Sequence, residues 1–272
     1  MSYTGSHMIV FAAITPHSPL LLPTVGKKQQ TKLKKTLAAM KRMAEDLYAA
    51  KPDILLVLSP HGQTLPESFS IHVAERYETS FQEFGDFTTK KVFKSDPMLI
   101  ERLRRHLRST DTVGHPLTLL TQDHLDYGTA VPLCLLAEHL LSVSVVPMFD
   151  SGLALTAHFA FGKSLHEELV RSKKRIAVIA SADLSHRLTD KAPGGYSPDG
   201  KKFDDGVVHA MKNQDYDSLF GLEPSGAEAK ACGLRTIMIL LGVLDGVNCS
   251  PEILSYEGPF GVGYMSVRYK FV

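Results

Sequence analysis

The chain has 272 residues, enough to bury a large core, and its 44% hydrophobic and 22% charged residues exclude wholesale disorder. Lys and Arg total 30 against 29 Asp and Glu, a formal net charge of +1. With no overall field to draw nucleic acid or an anionic membrane, the expected partner is a small molecule.

Cys134, Cys232 and Cys249 show no Cys-x-x-Cys spacing. They predict neither a disulfide framework nor a thiolate zinc site, and they fit a reducing cytoplasm. Gly5-Ser6-His7-Met8 reads as a cloning remnant, which sets residues 1–7 apart and removes His7 from the site argument. The N-terminus lacks a basic segment followed by a long apolar run, so no signal peptide is expected. The apolar run 131–149 is interrupted by Glu138, His139 and Pro147, as a buried helix and strand are and a bilayer span is not. No Pro/Gly/Ser-rich linker divides the chain, and one domain over residues 8–272 is expected.

A first strand at 9–13 runs into Thr15-Pro16-His17-Ser18-Pro19. Leu33, Leu37, Met40, Ala44 and Leu47 recur at helical spacing, and this helix ends near Pro52. The second strand, 53–58, is apolar on both faces and delivers Ser59-Pro60-His61-Gly62. A third strand follows at 69–74, then an aromatic stretch, 77–87, without a period. Ser95 or Asp96 caps the next helix, with Pro97 in its first turn and Leu99, Leu103 and Leu107 as its apolar stripe. Residues 111–122 read as a loop leading to the polar cluster Asp123-His124-Leu125-Asp126-Tyr127-Gly128 before a helix at 129–141. Such a cluster either caps the helix or binds an anion.

A strand at 143–149, a helix at 155–171 and a strand at 175–182 come next, and the last breaks off at Ala182-Asp183-Leu184-Ser185-His186. Beyond the loop 189–200, helical patterns occupy 203–212 and 227–244, and strands occupy 251–256 and 262–271 with Glu257 between them. The order is that of a single α/β domain: a mostly parallel or mixed central sheet with helices on both faces.

Three hydrophobic strands that each stop at a histidine predict one crevice, because the carboxyl ends of strands line the ligand site of α/β sheets. An iron that must hold an organic substrate and dioxygen together needs few protein ligands. Two histidines and a carboxylate leave its other positions open. His17, His61 and Glu257 could supply that set, against the alternatives of loop histidines and a turn glutamate. Pro16, Pro19 and Pro60 favour the ligand reading, since they stiffen the backbone around His17 and His61. His186 would be the acid/base, its imidazole titrating near neutral pH. Asp183 either orients it or caps the turn.

These motifs, with Val131-Pro132-Leu133 and Tyr256-Glu257-Gly258-Pro259, resemble in this order the class III extradiol ring-cleavage dioxygenases. That family includes the protocatechuate-cleaving β subunit, the DOPA extradiol dioxygenases and, as relatives, Memo-like proteins. The resemblance implies Fe(II) held by His17, His61 and Glu257, His186 as catalytic acid/base, and an aromatic diol and dioxygen as substrates. Many members carry Asp-His-Gly where this chain has Asp126-Tyr127-Gly128, so the second proton donor passes to Tyr127, to His124 or to nothing. Two other readings stand beside ring cleavage: a zinc hydrolase on the same residues, and a Memo-like interaction protein. A homodimer is the default assembly on frequency grounds, with a small second subunit as the family alternative.

Overall fold

The computed structural model describes residues 8–109 and 117–272. In chain order its elements begin with β1 (Ile9–Thr15), α1 (Pro23–Gly26), α2 (Lys34–Ala50), β2 (Ile54–Ser59) and β3 (Phe69–Val73). Next come β4 (Arg76–Thr79), β5 (Val92–Ser95), α3 (Pro97–Ser109), β6 (Leu117–Thr121), β7 (His124–Leu125) and α4 (Tyr127–Leu136). β8 (Ser144–Phe149), α5 (Leu155–Leu169), β9 (Ile176–Ser181), α6 (Pro198–Asn213) and α7 (Glu223–Glu228) follow. The last elements are α8 (Leu234–Val243), β10 (Cys249–Glu257) and β11 (Tyr264–Phe271).

Among the described residues eleven strands join one mixed sheet whose main path runs β10-β11-β1-β9-β2-β8-β5-β4-β7, with β3 also paired to β8 and β6 paired to β3. Its centre, β1-β9-β2-β8, is parallel, and β10 and β11 close one side antiparallel. One core lies between a face of the sheet and α3, α5, α6 and α8, and a second lies between the other face and α2 and α4. Because both faces are covered, β2 and β9 are buried at every residue and read as unbroken apolar runs. Among the described residues no helix is long and apolar enough to cross a membrane.

Two expectations change here. The described part of the 111–122 stretch is not a loop, because Leu117–Thr121 pairs in parallel with Phe69–Val73. The helix expected over 227–244 is broken. Lys230 adopts φ 51°, its N–H bonds Ala227 O, and the Ala231 N–H bonds Gly226 O, which closes α7 with a left-handed residue. The chain restarts at Gly233, where a side chain cannot fit: a Cβ would lie 2.4 Å from the Ala182 Cβ and 2.8 Å from Asp183 O. Gly233 packs on the end of β9, and the break sets Cys232 at the carboxyl edge of the sheet.

Candidate metal centre

β9 lies between β1 and β2 in parallel register, with Thr15 beside Ser181 and Leu58 beside Ala180. The residues that follow these three strands must therefore emerge together. His17 and Asp183 meet directly: the His17 backbone N–H donates to Asp183 Oδ1 at 3.0 Å, and Asp183 Oδ2 is 3.6 Å from His17 Nε2. His61 arrives from the other side and puts its Nε2 2.9 Å from His17 Nε2. Cys232, from the break before α8, places Sγ 3.5 Å from the same nitrogen.

A hydrogen-bond relay sets the tautomer of His17. Ser181 Oγ donates its single proton to Gly128 O at 2.5 Å, so at 2.8 Å from His17 Nδ1 it can only accept. Nδ1 then carries the proton and the Nε2 lone pair faces His61 and Cys232. Gly128 permits this approach, because a Cβ there would lie 2.4 Å from Ser59 Oγ and 3.2 Å from His61 Cδ2. Asp126 caps α4, accepting from the Thr129 N–H and hydroxyl, and takes the Ser59 hydroxyl proton at 2.6 Å. The sequence's two uses for this polar cluster thus resolve toward capping.

His17, His61 and Cys232 are the group of potential metal ligands that the described residues bring together. Neighbouring donors on one ion, with bonds of about 2.1 Å to nitrogen and about 2.3 Å to sulfur, lie roughly 3 to 3.6 Å apart. The separations of 2.9 and 3.5 Å match that spacing. Two imidazoles and a thiol thus fit a divalent transition ion in both chemistry and position.

Glu257, which the resemblance placed beside His17 and His61, is not in this group. At the end of β10, its Oε1 accepts from the Thr36 backbone N–H at 2.8 Å and from the Thr36 hydroxyl at 2.7 Å. The physical reason lies in α2, whose first turn has no acidic residue and no side-chain cap of its own and carries Lys34 and Lys35. Unpaired N–H groups and a positive helix end need a carboxylate, and the β10–β11 hairpin supplies one from 221 residues away.

The titratable groups are shaped by burial. His17 is held well below its ordinary pKa by desolvation, then by the nearby His61 and His186. His61 is lowered to about 4 by burial and by His186. His186 is lowered by burial, against the carbonyls of Lys230 and Leu184, which favour its cation. All three imidazoles are neutral at pH 7 and keep a lone pair. Burial, with the Asp183 carboxylate next, pushes the Cys232 thiol well up, and burial raises Asp183 to about 7 against the His17 N–H. A bound cation would reverse both of these last shifts.

Of the remaining sequence candidates, His186 enters the neighbourhood, its backbone N–H held by Ala229 O at 2.9 Å in the turn that closes α7. Tyr127 stacks on His61 with ring centroids 4.3 Å apart and its hydroxyl 3.0 Å from His61 Nε2. His124 does not touch the group; it is exposed, paired with Asp123 at 2.6 Å, and lines a cavity of about 410 Å³ that His61 and His72 also line. A second cavity, of about 360 Å³, is lined by Pro60, Asp150, Cys232 and Arg235 among others. Sequence reasoning missed Cys232. The signal for it was weak: a cysteine one residue before a glycine within a helical pattern.

Residues 11–266 match the family described as the catalytic LigB subunit of aromatic ring-opening dioxygenase. The chain belongs to the LigB family. Among relatives of this LigB-family chain, Protein CA_C1420 of Clostridium acetobutylicum is 28% identical over 274 residues. That match takes in 97% of the chain but 57% of the relative, so the chain spans little more than half of that protein. The crystal structure of uncharacterized protein JW3007 from Escherichia coli K12 superposes with a TM-score of 0.63 at 17% identity, over 95% of this chain and 99% of that one. That likeness supports the α/β fold.

Proposed function

We propose that this LigB-family chain is a metal-dependent enzyme that opens the ring of an aromatic diol with dioxygen, with His17, His61 and Cys232 as the metal ligands and His186 as the acid/base. The observation that carries the reading is the convergence of two neutral imidazoles and a thiol at the carboxyl ends of β1, β2 and β9. Bound Fe(II) would supply the electron transfer between diol and dioxygen, which no side chain here can perform.

The chain's own residues do the rest. Ser181 holds the His17 lone pair toward the site through Nδ1. Tyr127 packs against His61 and restricts its ring, and its phenol, pushed above its ordinary pKa by burial, stays protonated and can donate. His186, neutral at pH 7, takes a phenolic proton from the diol and returns it to the opened product. The donor set also favours a second reading: two imidazoles, a thiolate and an open position suit catalytic zinc and a hydrolase.

Metal analysis and assay decide between them. The protein loaded anaerobically with Fe(II) is expected to consume oxygen and form a coloured ring-opened product with at least one of a panel of catechols. His186→Gln should abolish turnover and leave the metal bound. A fully loaded, correctly folded protein that is silent with the whole panel refutes ring cleavage, and ester or amide hydrolysis by the zinc form supports the second reading.

A further inference from the structure

A further cavity, of about 380 Å³, lies on the face of the sheet that α5, α6 and α8 cover, and it shares no lining residue with the two cavities at the metal centre. α8 starts two residues after Cys232 and reaches this cavity with its other end, about 15 Å away. The volume is that of a small-molecule site. Its walls are aromatic and aliphatic: Phe159, Tyr216, Phe220 and Tyr269, with Met238 and Leu241. Phe159, Tyr216 and Phe220 are each only half-buried, and the rings of Phe159 and Phe220 meet edge to face with centroids 6.1 Å apart. Large rings left part-exposed together mark a binding surface.

The electrostatics of the cavity have one sign. The charged side chains of its described lining are all carboxylates, Asp215, Asp217 and Asp245. Asp245 pairs with Lys163 at 2.9 Å, whereas Asp215 and Asp217 are exposed and have no ion-pair partner among the described residues. The basic residue nearest to them along the chain, Lys212, is exposed and outside the lining. Two helices also end here, since Gln214 caps the C-terminus of α6 and Leu244 that of α8, and both residues line the cavity. A helix C-terminus carries roughly half a negative charge on its unpaired carbonyls, and α8 has no basic residue in its last turn to offset it. Aromatic faces are negative as well. The fold itself shows what such a place attracts: Lys163 Nζ lies 5.8 Å from the Phe159 ring centroid while it pairs with Asp245.

We propose that this cavity is a second binding site, remote from the metal centre, for an organic ammonium: a cationic group on an apolar body of about one ring. The body fills the space among Phe159, Tyr216 and Phe220, and the ammonium meets Asp215, Asp217 and the two helix ends. A bare cation leaves the rings uncovered, an uncharged ring leaves the carboxylates unpaired, and an anion is repelled. The site is independent of the ring-cleavage reading.

The test is equilibrium binding by titration calorimetry at physiological ionic strength, on metal-free and zinc-loaded protein. Benzylamine, protonated at pH 7, carries both features; benzyl alcohol carries the ring alone and methylamine the charge alone. Wild type is expected to bind benzylamine at least about tenfold more tightly than either, with or without zinc, as a cation held by both carboxylates and aromatic faces should be. The double variant Asp215→Asn, Asp217→Asn changes two exposed side chains and should abolish the preference over benzyl alcohol. Phe220→Leu keeps apolar bulk without the ring and should weaken benzylamine binding about fivefold. The proposal is overturned if benzylamine binds wild type no better than the alcohol, if methylamine matches it, or if none of the three binds. It is equally overturned if either folded variant binds benzylamine as wild type does, or if binding requires zinc, which would put the amine on the metal.

Discussion

Replacing Glu257 by Ala separates a metal ligand from a helix cap. In the structure the carboxylate satisfies the backbone N–H and the hydroxyl of Thr36, a residue with 0% exposure, so water cannot substitute readily when it is removed. Leaving buried donors unpaired costs about 1–3 kcal/mol, and losing a negative charge at a helix N-terminus adds roughly 0.3–1 kcal/mol. Together these span about 1.3–4 kcal/mol, and because Glu257 is itself only half-buried the expected cost falls in the lower half of that span, at about 2 kcal/mol. For a chain of this size that corresponds to a fall in Tm of roughly 4–8 °C. Thermal denaturation followed by circular dichroism measures the fall, and elemental analysis of the folded protein counts the metal. Glu257→Ala should melt early and still bind one equivalent, whereas Cys232→Ser should lose metal affinity by a factor of about 100 and melt within about 2 °C of the metal-free wild type. The opposite pattern, with metal lost and stability intact in Glu257→Ala, would refute the assignment of the third ligand to Cys232.

Three further outcomes follow from the same geometry. Metal binding at pH 7 should release between one and two protons per ion: the imidazoles are already neutral, with His61 at about 4, while the raised Cys232 thiol must ionise and Asp183, at about 7, gives up the proton it partly holds. Affinity therefore rises with pH, by about tenfold or more per unit below the thiol pKa, and calorimetry in buffers of different ionisation enthalpy reads the protons; release of none would exclude thiolate ligation. Ser181→Ala removes the acceptor that fixes the proton on His17 Nδ1, and should weaken metal binding roughly 10–100-fold in a chelator competition while secondary structure is unchanged. Asp126→Ala removes the cap of α4 and the partner of Ser59, and should cost about 1–2 kcal/mol in urea denaturation; a change below a few tenths would contradict the capping role.

The amino-acid sequence by itself determined the elements whose information is local. β1, β2 and β9 are apolar runs, α2 and α3 carry helical stripes, and Pro16, Pro19 and Pro60 mark where His17 and His61 leave their strands. A parallel sheet then brings strand ends together, so His17, His61 and His186 were legible as one neighbourhood. The short strands β4 to β7 were not: they have two to five residues each and too little alternation to show a period, and pairing decides them.

Only the tertiary structure brought Cys232 to His17 and His61 and sent the Glu257 carboxylate to Thr36. The residue that ends α7 in a left-handed conformation is Lys230, where glycine would have signalled the stop, and the apolar period runs through the break. What interrupts the helix is the close packing of Gly233 on Ala182, a contact between segments about fifty residues apart in sequence. Glu257 likewise stood where a ligand was expected, but the uncapped N-terminus of α2 claims its carboxylate. Both outcomes turn on which distant groups compete for a side chain, and spacing along the chain does not encode that competition.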